Sequence, residues 1–345
     1  MSSKVSRRGF LQAMGLAAAS LGTKACQPFW SGGGRPSNGP DHGTPLPVRA
    51  LGDTGERVSL LGLGGEAALD KSDQGAAEEI INYAIDSGVN YIDTSPRYGN
   101  TRSETNIGRV MKYRRKEVFL ATKSKERTYS KVLQDFDDSL NRLQTDYIDL
   151  YQVHNIGESS DVSELFAEDG NGNTAIDAFE QLRREGREGR PGAHYIGITG
   201  HHDPQQLLAV LNHDDAPAFD AVLMALNPAD RHRRPFQQEL LTVAQQRKMA
   251  IIAMKVTGMT YLFDDIPNMS DCLNYVYSLP ISCAIVAISE LSELEQNLQI
   301  TRDFSTPLST AEREALENMT TPTPGDTKWN EPEKWRGDFF KVIRY

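Results

Sequence analysis

The sequence predicts an α/β protein built as a (β/α)8 TIM barrel, with an N-terminal β-hairpin and an extra C-terminal segment. Three observations carry this. From residue 48 onward, short runs that are apolar on both faces alternate with stretches of helical period, the pattern of a parallel sheet covered by helices. Eight such strand–helix units fit in about 250 residues, the usual size of a closed barrel. Titratable side chains stand at the ends of successive strand-like runs, at Asp93, Lys123 and His154, and in a barrel those carboxyl ends share one mouth.

The elements follow in order. VRALGDTGERVS reads as a polar hairpin turning at Asp53-Thr-Gly55. SLLGLGG is a buried strand, and SDQGAAEEIINYAIDSG a helix with Ala77, Ile80, Ile81 and Ala84 on one face, capped by Asp73 and stopped by Gly88. NYIDT, EVFLATK and YIDLYQV are the next three strands. The helices after them are SETNIGRVMKYRR, with Ile107, Val110 and Met111 inward; SKVLQDFDDSLNRL, with Val132, Leu133, Phe136, Leu140 and Leu143 in period; and AIDAFEQLRREG. HYIGIT is strand five, and Asp203-Pro204 caps its helix with proline at the first helical position. DAVLMAL, AIIAM and CAIVAI complete the eight, with helical stretches in PFQQELLTVAQQR, around NYVYSL, and in SELEQNLQ. The letters Gly62-Leu-Gly-Gly-Glu-Ala67 match a dinucleotide fingerprint, G-x-G-x-x-A. That motif requires the glycines to open a helix; here they run into Leu69–Gly75, so they are read as a tight strand-to-loop turn near the barrel mouth.

Residues 1–25 carry Arg7-Arg8, then Phe10-Leu11 and a weakly apolar Ala/Gly-rich run. They resemble a twin-arginine (Tat) signal peptide, which implies export by the twin-arginine machinery to a periplasmic or other extracytoplasmic location. Cleavage after Ala25 would make Cys26 the first mature residue and raises lipid anchoring there. Residues 26–46, dense in Gly, Pro and Ser, read as a flexible linker. The barrel is assigned to residues 47–310 and a C-terminal extension to 311–345, a segment that either folds over the mouth or packs beside it.

The formal net charge of −10, with 47 acids against 37 Lys and Arg, argues against nucleic acid as a partner. No stretch reaches the roughly 20 apolar residues of a spanning helix. Three cysteines, none in a C-x-x-C pair, make no disulfide framework, and Cys272 and Cys283 lie in apolar segments as buried thiols. His201-His202-Asp203 is too poor in further ligands to hold a metal, and Asp203 is better used as a helix cap.

The chemistry at the mouth can be read from residue types. An ammonium beside a phenol stabilises the phenolate, a carboxylate holds the ammonium, and an imidazole orients a carbonyl oxygen. Such a set protonates an oxygen while a hydride reaches its carbon. No side chain donates hydride, so a nicotinamide cofactor is implied. Taken singly, Asp93 also suits a strand-end cap, Tyr98 a rim aromatic, Lys123 a surface cation and His154 a satisfied core imidazole.

The segments LGDTGERVSLLGLGG, YIDTSPRYGNTRSETNIG, ATKS, DYIDLYQVH, HYIGITGH, ALNP and EQNL resemble the aldo-keto reductase family over about residues 48–300. The resemblance implies a small-molecule carbonyl substrate, NADPH or NADH as cofactor, and a tetrad of Asp93, Tyr98, Lys123 and His154. In it Tyr98 is the general acid, Lys123 its activator, Asp93 the partner of Lys123, and His154 the substrate orienter. It places cofactor contacts at Gly64, Thr199, Gly200, Met254, Lys255, Ser289, Glu293 and Asn297. The match is looser there. Thr199-Gly200 stands where the family has Ser-Asn, Leu223 where it has Gln, and Met254 where it has a stacking aromatic. Ala287 and Glu293 replace basic residues that hold a 2′-phosphate, which favours NADH; Lys255 either offsets this by binding a phosphate or pairs with a nearby acid. Two other readings fit the same residues: an exported, non-catalytic binding protein on this scaffold, and an enzyme whose cofactor is trapped and never exchanges.

Overall fold

A computed structural model describes residues 44–322. The twin-arginine stretch, Cys26, nearly all of the linker and residues 323–345 lie outside the described residues. A hairpin of β1 (Val48–Ala50) and β2 (Arg57–Ser59) precedes eight parallel strands. These are β3 (Leu61–Ala67), β4 (Tyr91–Asp93), β5 (Phe119–Ser124), β6 (Tyr147–Val153), β7 (Gly192–Gly200), β8 (Ala221–Ala225), β9 (Ala250–Met254) and β10 (Cys283–Ile288). They close in sequence order, β10 pairing with β3. The eight-unit barrel and the hairpin expected from the sequence are both present.

Helices α1 (Gln74–Asp86), α2 (Arg102–Arg114), α3 (Tyr129–Leu143), α4 (Ser159–Leu165), α5 (Ala175–Arg187) and α6 (Pro204–Leu211) cover the first part of the sheet. Next come α7 (Phe236–Glu239), α8 (Leu241–Gln246), α9 (Met269–Tyr277), α10 (Leu291–Asp303) and α11 (Thr310–Met319). The cap residues act as read: Asp73 accepts from the Ala76 amide at 3.1 Å, Asp203 accepts from the Gln205 amide at 3.0 Å, and Gly88 leaves α1 at φ +99°. Gly108 lets α2 cross α3 in backbone contact, since a Cβ there would sit 2.1 Å from the Arg142 carbonyl.

Three local expectations change. Gly62–Ala67 is strand throughout, not a turn, because Gly64 and Gly65 face backbone that a Cβ would strike: Ala287 N at 3.0 Å and the Asp93 carbonyl at 2.7 Å. The helix read over 235–247 is two short pieces divided at Leu240. The loop at 157–173 contains α4, closed by a capping box between Glu158 and Asp161.

Two apolar layers hold the barrel. Ile81, Phe136, Phe179, Val222 and Leu294 pack between sheet and helices, while Tyr91, Phe119, Leu150, Leu223, Ile252 and Cys283 fill the interior. The hairpin adds Leu51 and Val58 to that interior. Arg49 fastens it by donating to the carbonyls of Tyr277 (2.6 Å), Leu279 (3.2 Å) and Ile281 (3.0 Å). The hairpin thereby closes one end of the barrel. Cys272 and Cys283 are buried free thiols, both pushed up by burial, Cys272 to about 12.

Candidate active site

Side chains alternate along a strand, so residues two apart share a face. On β6 this puts Gln152 and His154 on one side; the register sets Lys123 beside Gln152, and Gly64 beside Asp93. The interior thus meets the mouth at the ends of β4, β5 and β6, where an acid, an amine, an amide and an imidazole converge. Tyr98 arrives from the loop after β4, shaped by a Tyr98 amide to Ser95 carbonyl bond of 3.0 Å.

Lys123 Nζ is the centre. It donates to Asp93 Oδ1, to the Thr94 carbonyl at 2.9 Å and to Tyr98 Oη at 3.4 Å. Its Nζ also lies 4.9 Å from the Tyr98 ring centre. Asp93 Oδ2 accepts from Gln152 Nε2 at 3.0 Å. Asp93 and Lys123 are fully buried, and Tyr98 is 7% exposed. Burial pushes the Asp93 carboxyl above its ordinary value, while the Lys123 ammonium and the Gln152 amide pull against that.

His154 lies edge-on to Tyr98, ring centres 6.1 Å apart, with Nδ1 3.1 Å from Ser95 Oγ. Burial, then the fields of Lys123, Lys125, Arg127 and Arg97, hold it well below the ordinary imidazole range. It is therefore neutral at neutral pH, able to donate through one nitrogen while the other is fixed.

The structure brings Asp93, Tyr98, Lys123 and His154 together as one contact set. The residues put forward for a cofactor are spread over the ends of β3, β7, β9 and β10. Gly64 packs against β10, and Thr199 and Gly200 close β7. Thr199 Oγ1 is buried with no hydrogen-bond partner among the described residues. Met254 ends β9, and Lys255 follows in a left-handed conformation, φ +55°, its carbonyl held by Asn227 Nδ2 at 2.8 Å. Lys255 Nζ stands 3.5 Å from Glu66 in an ion pair. Glu293 accepts from the Ser289 amide at 2.7 Å, and Asn297 is buried on α10. Glu293 is thus partly committed to shaping its own loop.

Three residues here were not singled out from the sequence. Gln152 was findable, two positions before His154 on the same face. Glu66 sat inside a glycine motif read as a turn. His201 was weighed only as a metal ligand; its ring is buried beside His154 at 6.4 Å between centres. Among the described residues no cluster of His, Cys, Asp and Glu is arranged to hold a metal ion.

Comparison with known proteins gives a consistent picture. The model of the Aldo/keto reductase family matches residues 60–271. Aldo-keto reductase YhdN of Bacillus subtilis is 37% identical over 121 residues, 30% of this chain and 37% of that protein. L-galactose dehydrogenase of Arabidopsis thaliana is 33% identical over 169 residues, 46% of this chain and 49% of its own length. The chain therefore spans less than half of each of these two curated relatives. In structure, the holo form of aldo-keto reductase AKR11C1 from Bacillus halodurans aligns with TM-score 0.64 at 22% identity, covering 81% of this chain and 99% of that one. An aldo-keto reductase from Klebsiella pneumoniae in complex with NADPH aligns with TM-score 0.63 at 21% identity, over 81% and 97%. These two share the fold.

Proposed function

This chain belongs to the aldo/keto reductase family, and we propose that it exchanges hydride between a nicotinamide dinucleotide and an aldehyde or ketone, or the matching alcohol, with Tyr98 as the proton donor. The observation that carries the reading is the placement of Lys123 Nζ between Asp93 and Tyr98 Oη. Residues at the mouth suit the cofactor: buried Thr199 Oγ1, without a partner among the described residues, matches a carboxamide, and Lys255 offers a cation for a phosphate. When bound, the nicotinamide supplies or takes the hydride.

The protein's own residues handle the proton. Tyr98 Oη gives its hydrogen to the carbonyl oxygen as negative charge grows there. The phenolate left behind faces the Lys123 ammonium, which Asp93 and the Thr94 carbonyl keep in place. Gln152 occupies the other Asp93 oxygen and fixes the carboxylate plane. With Ser95 Oγ donating to Nδ1, neutral His154 carries its proton on Nε2 and offers it to the same carbonyl oxygen. Held in advance in a dry site, these dipoles need no reorganisation during the reaction.

Both NADH and NADPH remain candidates. The Klebsiella relative holds NADPH, which lends no support to the NADH preference expected from Ala287 and Glu293. The twin-arginine resemblance of residues 1–25 makes export part of the proposal, tested by fractionating cells that express the full chain with Arg7 and Arg8 intact or both changed to Lys.

The decisive experiment is Tyr98→Phe. Carbonyl reduction should fall by about 10²–10⁴ while the fluorescence change of NADPH or NADH on binding is kept. Full reduction by this variant refutes Tyr98 as the acid. Failure of the unaltered protein to bind either nucleotide at millimolar concentration refutes the oxidoreductase reading and leaves a non-catalytic binding protein.

A further inference from the structure

Strands β5 and β6 stop pairing at Ser124 and Val153, and a last bond runs from the His154 amide to the Ser124 carbonyl at 2.8 Å. The sheet next holds this chain at the Ile156 amide, which donates to the Thr199 carbonyl of β7 at 2.8 Å. His154 therefore leaves the ladder as it enters the site. A side chain has only a few staggered rotamers on a given backbone, so the backbone at this point decides where the ring goes.

Between those two bonds stands Arg127, from the loop after β5. Its Nη2 donates to the His154 carbonyl at 3.0 Å and to the Asn155 carbonyl at 3.3 Å, and Nη1 donates to the Lys125 carbonyl at 3.0 Å. Nη2 also lies 3.6 Å from Asp161 Oδ1 on α4, whose Oδ2 accepts from the Gly157 and Glu158 amides at 2.8 and 2.9 Å. One guanidinium thus joins the turn behind Lys123 to the turn behind His154. The side chain is only 12% exposed, and burial pulls it below its ordinary value, with Asp161 the chief opposing influence.

The residue type matters here. A planar guanidinium spreads its donors over several carbonyls at once, whereas a lysine is a point charge on a flexible stem. Its charge matters as well, because the ring has to be neutral to offer an N–H to a carbonyl oxygen. The charged and titratable groups about the ring are Arg97 and Tyr98 from the loop after β4, Lys123, Lys125 and Arg127 from β5 and its loop, and His201 after β7. Asp93 stands behind Lys123.

We propose that Arg127 is a positioning residue for the reaction, holding the carbonyls of His154 and Asn155 so that the imidazole is aimed at the substrate oxygen. Its charge serves the same end by opposing protonation of the ring, after burial and the two lysines. This rests on the oxidoreductase reading above.

Two variants separate fork from charge: Arg127→Met removes both, and Arg127→Lys keeps the charge alone. With benzaldehyde as the probe, kcat of Arg127→Met should fall about 10–100-fold while KM for NADPH or NADH is unchanged, and Arg127→Lys should recover part of it. As pH is lowered, Arg127→Met should lose rate at a higher pH than the unaltered protein, and Arg127→Lys should follow the unaltered protein. The ring-nitrogen NMR signal of His154, assigned with His154→Gln, should titrate in the same order. Unchanged kcat and an unmoved ring signal in Arg127→Met, with only a lower melting temperature, overturn the proposal, since Arg127 is then a structural tie. A moved acid limb with full kcat above it, or a kcat loss matched by weakened nucleotide binding, also overturns it. If Arg127→Met does not fold, Arg127→Lys decides: full kcat overturns the proposal, and a severalfold loss with nucleotide KM kept upholds it. If benzaldehyde is not turned over, the His154 signal decides, moved by Arg127→Met or not. Failure of the unaltered protein to bind either nucleotide sinks the oxidoreductase reading and this proposal with it; binding and turnover indifferent to Arg127 sink this proposal alone.

Discussion

Replacing Lys123 by Met would expose what the buried ion pair does. Asp93 is fully buried, and in the variant its Oδ1 loses the ammonium while Gln152 remains at Oδ2. Leaving one buried partner uncompensated costs about 3–5 kcal/mol. The carboxyl can escape that cost by taking up a proton, and the sign of the pH effect follows. Burial already raises the folded-state value above that of the unfolded chain, with Lys123 the chief opposing influence. Removing Lys123 raises it further. A carboxyl raised in the folded state favours folding at low pH and loses that contribution as pH rises through the folded value. The deficit of Lys123→Met should thus be small near pH 5 and grow towards pH 8 by up to about 1.4 kcal/mol per unit, within the 3–5 kcal/mol ceiling. Urea unfolding followed by far-ultraviolet circular dichroism measures it, against the unaltered protein at each pH. Adding Asp93→Asn should recover much of the loss and flatten its pH dependence. A deficit equal at both pH values, or a double variant no more stable than Lys123→Met, would refute a charged Asp93–Lys123 pair.

Other outcomes follow from the same packing and charges. His154 and His201 are held well below the ordinary imidazole value, so their contribution is present above the unfolded value of about 6.5 and lost below it, by up to about 1.4 kcal/mol per pH unit each. Urea midpoints between pH 7 and 5 should fall less steeply for His201→Phe than for the unaltered protein; parallel slopes would exclude His201 from that loss. Gly108→Ala must push α2 off the Arg142 carbonyl and should cost at least about 1–3 kcal/mol. Gly75→Ala, whose Cβ meets only Asp73 Oδ1 at 3.6 Å, should gain about 0.4–1 kcal/mol, and thermal melts compare the two. Glu66→Gln frees Lys255 from a partly exposed pair and should tighten NADPH relative to NADH by about 1 kcal/mol at most, read by nucleotide titration at two salt concentrations.

The barrel was legible because its strands are buried on both faces, leaving unbroken apolar runs such as AIIAM and CAIVAI. Asp93, Lys123 and His154 were legible because each interrupts such a run at its end. Glycine was harder to read. In β3 it marks strands approaching too closely for a Cβ, and the letters cannot separate that from a turn. Helix α4 was missed since its seven residues bury only Leu165, too little for a periodic signal. In 235–247 the period continued across Leu240 although the hydrogen bonding did not.

What could not be read reflects how the two halves of the site are satisfied. Asp93 and Lys123 meet one another's needs, with Gln152 Nε2 and the Thr94 carbonyl completing them, and such a self-contained pair leaves a fixed imprint: particular residue types at particular strand ends. Leu150, Leu223 and Ile252 fill the barrel interior with apolar groups, which makes an unpaired charge there costly and keeps the set intact. Thr199 Oγ1 and the two His201 nitrogens are the opposite case, buried atoms without a hydrogen-bond partner among the described residues. Lack of a partner depends on everything packed around an atom, so no local pattern of letters encodes it. The side of the mouth that prepares the proton is written in its own contacts. The side that meets the ligand is defined by contacts withheld, and there the packed structure adds most to the sequence.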